Sequence, residues 1–256
     1  MRIVQVLSIF VVVFVLALFI SQERSYAQVP GPVVPNEFRT ENGVPLPSPF
    51  ICPDNPGGLR AQTVFPAEDF APGTILGVTN RLFDGSPGFP TVTIPDVTIK
   101  LSTTQRPVGA LSATFADNVG PDETIVFQGD FVIEGVPGCN TDPCPFPEPG
   151  LFTTPFNYDP AQGNLLFEIE FPPCVGGIPA GVVLDSTPGG FPALLQVLLA
   201  DFGEDTGNTF NAGFITKFAM NTQRPIPTLS EWGLIAMAGL LGIVGFIYIR
   251  RSYRTA

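Results

Sequence analysis

Two glutamates, Glu168 and Glu170, stand two positions apart in an alternating run, a spacing at which carboxylates could do acid–base chemistry. Residues i and i+2 of a β-strand share a face, so their Cβ atoms are expected about 6–7 Å apart. Glycosidases use two carboxyl groups roughly 5–9.5 Å apart. Sandwich-fold glucanases continue such a run with a third acid, where this chain has Pro172. We expect two solvated glutamates on an outer sheet face; a glycoside hydrolase-like enzyme is the alternative.

The chain contains no histidine. That absence excludes Ser-His-Asp triads, Cys-His dyads and most catalytic zinc sites. An enzyme would have to rely on paired carboxylates, lysine, tyrosine or a metal held by oxygen. We therefore expect a non-enzymatic protein.

Two turns are rich in oxygen ligands. Their residues are Asp117, Asn118, Asp122 and Glu123 in one, and Asp201, Glu204, Asp205 and Asn208 in the other. Ca²⁺ takes six to eight oxygen ligands, but Asp and Asn are also ordinary turn formers. We expect no cofactor, and a structural Ca²⁺ at either turn is the alternative.

Charge excludes one class of partner. The net charge is −11, and five of the twelve basic residues, but only two of the 23 acidic ones, lie in the terminal segments 1–27 and 226–256. The middle is therefore more acidic than the whole chain. Because phosphate binding depends on lysine and arginine, nucleic acid is excluded. Extracellular polysaccharide remains a compatible partner.

The N-terminal segment is typical of a signal peptide. Residues 3–20 are nearly all apolar and follow Arg2, and small residues occupy the first and third positions before the bond between Ala27 and Gln28. Signal peptidase accepts that pattern, so we predict export and cleavage after Ala27. The apolar stretch is also long enough to span a bilayer, which leaves an uncleaved anchor as the alternative.

The C-terminal segment predicts a transmembrane helix. Residues 232–249 are apolar and reach about 27 Å as a helix, roughly one hydrocarbon core. Arg250, Arg251 and Arg254 follow. Basic residues stay on the cytoplasmic side of the inner membrane, so the chain before the helix lies outside.

A short motif precedes this helix, formed by Ile226, Pro227, Thr228, Leu229, Ser230, Trp232 and Gly233. The run, the apolar helix and the Arg pair together resemble the IPTL-CTERM protein-sorting domain, a relative of the PEP-type signals handled by exosortase-like membrane transpeptidases in Gram-negative bacteria. The resemblance implies recognition and cleavage near this motif, then release or attachment at the cell surface. A plain single-pass anchor is the alternative.

Four cysteines in an exported chain predict two disulfides. Cys139 and Cys144 are close enough in sequence for a local bridge, which leaves Cys52 and Cys174. The chain-entropy relation assigns about 2 kcal/mol to the small loop and about 5 kcal/mol to the large one. Three connectivities are formally open, and a zinc site is disfavoured because Cys-x-x-Cys pairs are missing.

The middle of the chain predicts strands. Residues 28–58 are rich in proline and indicate an extended arm, whereas 59–225 alternate short β-branched and aromatic runs with turns. The predicted strands are 62–65, 74–82, 91–102, 109–115, 123–133, 151–157, 164–171, 181–185, 194–199 and 209–221. The run 194–199 is also short enough to be a helix.

These patterns favour an all-β fold, an antiparallel two-sheet sandwich of the jelly-roll kind, between a signal helix and a transmembrane helix. The runs 115–120, 126–129 and 155–166 also resemble the β-sandwich ectodomain that occurs with PEP-type and IPTL-type tails. That resemblance implies a fold and an exported location, and it implies no activity.

Overall fold

The computed structural model describes residues 31–47, 57–174, 181–190 and 192–222. They all belong to one compact unit, Gln28–Thr222. Within these ranges, helices are single 3-10 turns, and none has the length and apolarity needed to cross a bilayer. The predicted signal peptide 1–27 and the sorting segment 226–256 lie outside the described residues.

The described residues form strands that pair only antiparallel. The strands are β1 (Val33–Val34), β2 (Val44–Pro47), β3 (Leu59–Phe65), β4 (Gly73–Asn80), β5 (Val92–Thr104), β6 (Thr124–Ile133), β7 (Gly150–Tyr158), β8 (Asn164–Phe171), β9 (Val183–Ser186), β10 (Gln196–Ala200), β11 (Asn208–Phe210) and β12 (Thr216–Thr222). One sheet has the order β1-β12-β4-β7 and a larger one the order β11-β10-β3-β8-β5-β6, while β2 and β9 pair separately. The predicted all-β class is confirmed.

The main core lies between the two larger sheets and draws on both. Phe218 of β12 meets Phe65 of β3 and Phe70 edge-to-face, with ring centroids 5.1 Å apart in each pair. Phe70 also packs edge-to-face on Tyr158 of β7. Such aromatic pairs add about 0.5–1.5 kcal/mol each beyond the burial of their area. This aromatic cluster fixes one sheet over the other.

Residues 31–47, predicted as part of an extended arm, pack against the sheets. Val33 and Val34 are buried, and β1 pairs with β12. The chain passes close to that strand, because a Cβ added at Gly31 would lie 1.5 Å from the carbonyl oxygen of Phe218. Proline restricts this segment to extended backbone, which is also the conformation that an edge strand needs.

The predicted strand 109–115 is wrong. This segment is a loop that ends in the 3-10 turn Phe115–Asn118. Side chains bond part of its backbone, since Gln196 accepts from the N–H of Leu111 and Asn118 accepts from that of Ser112, and its pairing with another segment is limited to an isolated bridge between Thr114 and Thr206. Leu111 and Phe115 are buried nonetheless. The apolar pattern of this segment therefore predicted its burial, but it did not predict which groups bond to its backbone.

Two further predictions are settled at the C-terminal side of the fold. The stretch 209–221, predicted as one strand, is divided into β11 and β12, which lie in different sheets. Gly213 lies in the connection, and its N–H donates to the hydroxyl of Thr187. The stretch 194–199, for which a helix was the alternative, is strand β10.

A tight turn between β7 and β8 sets which residues of β8 face inward. The carboxylate of Asp159 accepts a hydrogen bond from the N–H of Ala161. Gly163 follows with a φ of 142°, and a Cβ there would lie 2.5 Å from the carbonyl oxygen of Thr104. Glycine is therefore required at this position. The register that results turns Leu165, Ile169 and Phe171 into the main core.

Candidate functional site

The alternate residues of β8 face away from the main core, where they meet cations from both neighbouring strands. In the β3–β8 ladder, Gln62 lies opposite Glu168 and Arg60 opposite Glu170. In the β5–β8 ladder, Lys100 lies opposite Glu168. We call Arg60, Gln62, Lys100, Asn118, Glu168 and Glu170 the outer-face cluster.

Two cations bridge the two glutamates of the cluster. Arg60 Nη2 is 3.1 Å and Lys100 Nζ 3.2 Å from the same oxygen, Glu168 Oε1. Lys100 Nζ is also 3.2 Å from Glu170 Oε1, and Arg60 Nε is 3.9 Å from Glu170 Oε2. Two positive and two negative charges therefore alternate across three strands, which is the arrangement in which opposite charges on adjacent strands stabilise a sheet.

The expectation of two solvated glutamates is wrong for Glu168. Its side chain is 3 % exposed, and that of Glu170 is 20 % exposed. The 109–118 loop folds over this face, and the guanidinium of Arg60 lies 4.3 Å from the ring centroid of Phe115. Charged residues that alternate with apolar ones along a strand are predicted to point away from the core. This pattern does not predict that a loop distant in sequence covers that face of the sheet.

Amide groups complete the cluster. Gln62 Nε2 donates to Glu168 Oε2 and to the carbonyl oxygen of Phe115. Asn118 Nδ2 donates in turn to Gln62 Oε1 at 3.0 Å. Each oxygen of Glu168 thus accepts at least one fixed hydrogen bond, and buried polar groups satisfied in this way make a covered face specific and rigid.

The chemistry open to this cluster follows from its bonds. A sugar could reach Glu168 only by displacing Phe115 and the hydrogen bonds of Arg60, Lys100 and Gln62. Burial lowers the pKa of Lys100, but the charges of Glu168 and Glu170 outweigh it, and the net shift is upward. Lys100 therefore stays protonated as their partner. These bonds suit a structural ion-pair network.

A second buried pair, Arg81 and Asp185, joins three segments of the chain. Arg81 Nη2 lies 2.7 Å from Asp185 Oδ2, and Arg81 also donates to the carbonyl oxygens of Phe38 and Glu41. The other carboxylate oxygen of Asp185 accepts from the N–H of Gly43 at 2.8 Å. Burial raises the pKa of Asp185, although these bonds oppose the rise.

The cysteine prediction is confirmed in part. Cys139 and Cys144 form a disulfide, and Cys174 is disulfide-bonded. Cys52 lies outside the described residues, so its pairing with Cys174 stays a prediction. The bridge between Cys139 and Cys144 closes a loop whose cysteines pack in a third apolar cluster with Leu184.

The oxygen-rich turn before β6 uses its side chains as hydrogen-bond acceptors. Asp122 accepts from the N–H and the hydroxyl of Thr103, and Asp117 accepts from the hydroxyl of Ser112. In the part of the chain that the structure describes, no group of three or more acids and cysteines is arranged to hold a metal ion. The absence of a cofactor stays a prediction, and Ca²⁺ at either turn stays its alternative.

Comparison with known proteins places the strongest functional signal in the tail. Residues 224–251 match the description "IPTL-CTERM motif". The chain carries an IPTL-CTERM sorting motif. No curated protein and no solved structure matches the chain.

The IPTL-CTERM motif implies an exported protein that is anchored in the membrane during sorting. It also implies processing by a membrane sorting transpeptidase of the exosortase kind. The match contains the predicted sorting residues 226–233 and two of the three terminal arginines, Arg250 and Arg251. The cleavage site at Ala27 and Gln28, Arg254 and the structure of the tail lie outside the described residues.

Sequence reasoning missed the partners of Glu168. Arg60 lies before the start of the predicted strand 62–65, Gln62 is predicted only as the first residue of that strand, and Asn118 only as a possible Ca²⁺ ligand. Arg60 and Gln62 alternate with Leu59 and Ala61, which are buried in the main core. This alternation is the sequence signal that Arg60 and Gln62 point away from the core. The strand register was needed as well, because only the register places them opposite Glu170 and Glu168.

Proposed function

We propose that the chain is an exported, surface-sorted and non-enzymatic β-sandwich protein of the jelly-roll kind. In this proposal, signal peptidase cuts after Ala27, residues 232–249 hold the chain in the inner membrane, and an exosortase-like transpeptidase cuts near Thr228. The mature ectodomain is then released or attached at the cell surface, where extracellular polysaccharide is its proposed partner.

One observation carries this proposal: an IPTL-CTERM motif at residues 224–251 follows directly on an all-β unit that ends at Thr222. The disulfide of Cys139 and Cys144 adds support, because disulfides persist in oxidising compartments outside the cytosol. The bonds of Glu168 support the non-enzymatic assignment, since a catalytic carboxylate must be reachable by its substrate.

The intact mass of the protein recovered from cells with an exosortase-like transpeptidase tests the sorting step. We expect an N-terminus at Gln28 and a C-terminus near Thr228. Pro227→Ala should block cleavage, because it removes a fixed extended residue from the recognised tetrad. The matched control, Gln223→Ala, lies one residue before the motif and should be processed normally. A mature chain that ends at Ala256 contradicts the proposal.

Residues 28–225 offered to a panel of soluble β-glucans test the ectodomain. Retained glycan without turnover supports a binding role at the surface. Hydrolysis that Glu168→Gln abolishes, while the variant keeps its fold, overturns the non-enzymatic assignment in favour of a glycoside hydrolase.

A further inference from the structure

A large cavity lies on the inner side of the six-stranded sheet. Its volume is about 950 Å³, which is at the upper end of the range of roughly 300–1,000 Å³ for ligand pockets. Inner-face residues of β3, β8 and β10 form one wall, and the segment of the disulfide-bonded cysteines forms another. A well-packed interior leaves few voids larger than a water molecule, and a space of this size is large enough to hold a guest molecule.

The cavity extends along the whole of β3. Leu59, Ala61, Thr63 and Phe65, all on the inner face of β3, line it from one end of the strand to the other. Six residue steps at about 3.3 Å each make the wall roughly 20 Å long. The lining also crosses the sheet from β10 to β6, so the space is broad as well as long, and its length accommodates an extended hydrocarbon chain.

The wall is apolar but reachable from water. Thr63, Phe167 and Val197 line the cavity and are half-buried, although they belong to the inner faces of their strands. Inner-face residues that do not line the cavity, such as Leu101 and Leu165, are fully buried. The sandwich is therefore open on this side, and a hydrophobic guest could enter without unfolding it.

The charges at the cavity select the kind of head group. Among the described lining residues the charged ones are Glu134 and Glu148, both acidic and exposed. Arg81 and Lys217 contact the ring of Phe146, which lines the cavity, but they do not line it themselves. A guest carboxylate or phosphate beside two glutamates would meet like charge, which is costly.

We propose that this cavity binds an uncharged acyl lipid, with the hydrocarbon chain along the inner face of β3 and a neutral polar head near Glu134 and Glu148. The apolar wall supplies the affinity, because each methylene removed from water contributes favourably. The two carboxylates supply the selectivity against anionic lipids. This binding site goes beyond the proposed sorting and surface functions and does not depend on them.

Displacement of the uncharged fluorophore N-phenyl-1-naphthylamine from residues 28–225 tests the proposal. The unit Gln28–Thr222 contains every described strand and all three apolar clusters, so it is suited to measurement as a separate protein. We expect monoolein to displace the fluorophore and oleate, which has the same chain with an anionic head, to bind about ten-fold more weakly or worse. Equal binding of the two contradicts the charge argument, and no binding of either overturns the proposal.

Two variants make the test specific. Thr63→Trp should fill the cavity and weaken monoolein binding about ten-fold, whereas Thr154→Trp, at an exposed position of β7 that does not line the cavity, should leave it unchanged. The double variant Glu134→Gln with Glu148→Gln should strengthen oleate binding and leave monoolein binding unchanged. The same exchange at the exposed Glu68 and Glu123, which do not line the cavity, is its control. A double variant that behaves as this control overturns the assigned position of the head group.

Discussion

Arg81 Nη2 lies 2.7 Å from Asp185 Oδ2, and the two side chains are 1 % and 0 % exposed. The pair lies where the N-terminal segment, the end of β4 and strand β9 meet. Each partner also bonds the backbone of the N-terminal segment, at Phe38, Glu41 and Gly43. One ion pair therefore holds a proline-rich segment against the body of the fold.

Asp185→Asn should lower the free energy of unfolding by about 3–5 kcal/mol, because it leaves the buried charge of Arg81 without its counter-charge. Urea denaturation of residues 28–225, followed by far-ultraviolet circular dichroism, measures the loss. The matched control is Asp84→Asn, the same exchange at an exposed position close to Arg81 in sequence. A loss of less than about 1 kcal/mol in the free energy of unfolding is typical of an exposed ion pair. Such a small loss would contradict the prediction that the buried Arg81 needs Asp185 as its counter-charge.

Glu168 and Glu170 share a strand and a face but differ in burial, so the same exchange should affect them differently. Glu168→Gln should cost about 2–3 kcal/mol, since charged partners lose a buried acceptor. Glu170→Gln should cost about 0–1 kcal/mol, since its ion pair is partly solvated. Chemical denaturation of the two variants side by side gives the comparison. Equal costs would contradict the burial that the structure assigns to Glu168.

Tyr158 should resist ionisation until the protein unfolds. Burial raises its pKa, and Asp159, Glu68 and Asp122 add to the rise. The unfolded chain then releases the phenolic proton at a lower pH than the folded one, so stability falls as the pH rises above about 10. Because Tyr158 is the single tyrosine between residues 28 and 225, phenolate absorbance during alkaline titration reports it directly.

Tyr158→Phe is the control for this titration. The variant should lose about 1 kcal/mol at neutral pH, because the carbonyl oxygen of Gly163 loses its donor at 2.8 Å. Its stability should fall less steeply above pH 10, and the remaining slope includes Lys100, whose pKa is also raised. Phenolate absorbance that grows near pH 10 while the circular dichroism stays native would contradict the assigned burial.

Removal of the disulfide between Cys139 and Cys144 should lower the free energy of unfolding only modestly. The double variant Cys139→Ser with Cys144→Ser should lose about 2 kcal/mol, since the bridge closes a short loop. Cys174→Ser should lose about 5 kcal/mol if its partner is the distant Cys52. Thermal unfolding of the three proteins under non-reducing conditions checks the order. The reverse order would contradict the predicted second bridge.

Local patterns located most of the strands because side chains alternate along a strand wherever it lies. The run 164–171 predicted β8 with its bounds unchanged. The segment 109–115 shows where such patterns fail. Its apolar residues are buried as a strand's would be, but its backbone bonds to the side chains of Gln196 and Asn118, and the former is distant in sequence.

From the sequence alone, the outer-face cluster could be recognised only by its two glutamates, which stand two positions apart as residues on one face of a strand do. Their role depends on Arg60, which is 108 positions from Glu168 along the chain. Strand order decides that β3 and β5 flank β8, and no local pattern contains that order. A residue pair at catalytic spacing thereby became the centre of an ion-pair network.

The amino-acid sequence by itself determined the features that act locally: the sorting motif, the absence of histidine, the acidic charge and the alternation that makes strands. These depend on neighbouring residues, so they can be read in order along the chain. Tertiary structure decided the burial of Glu168, the pairing of Arg81 with Asp185 and the cavity along β3. Each of these depends on segments that meet only after the sheets assemble, because burial and charge pairing are properties of the space between strands.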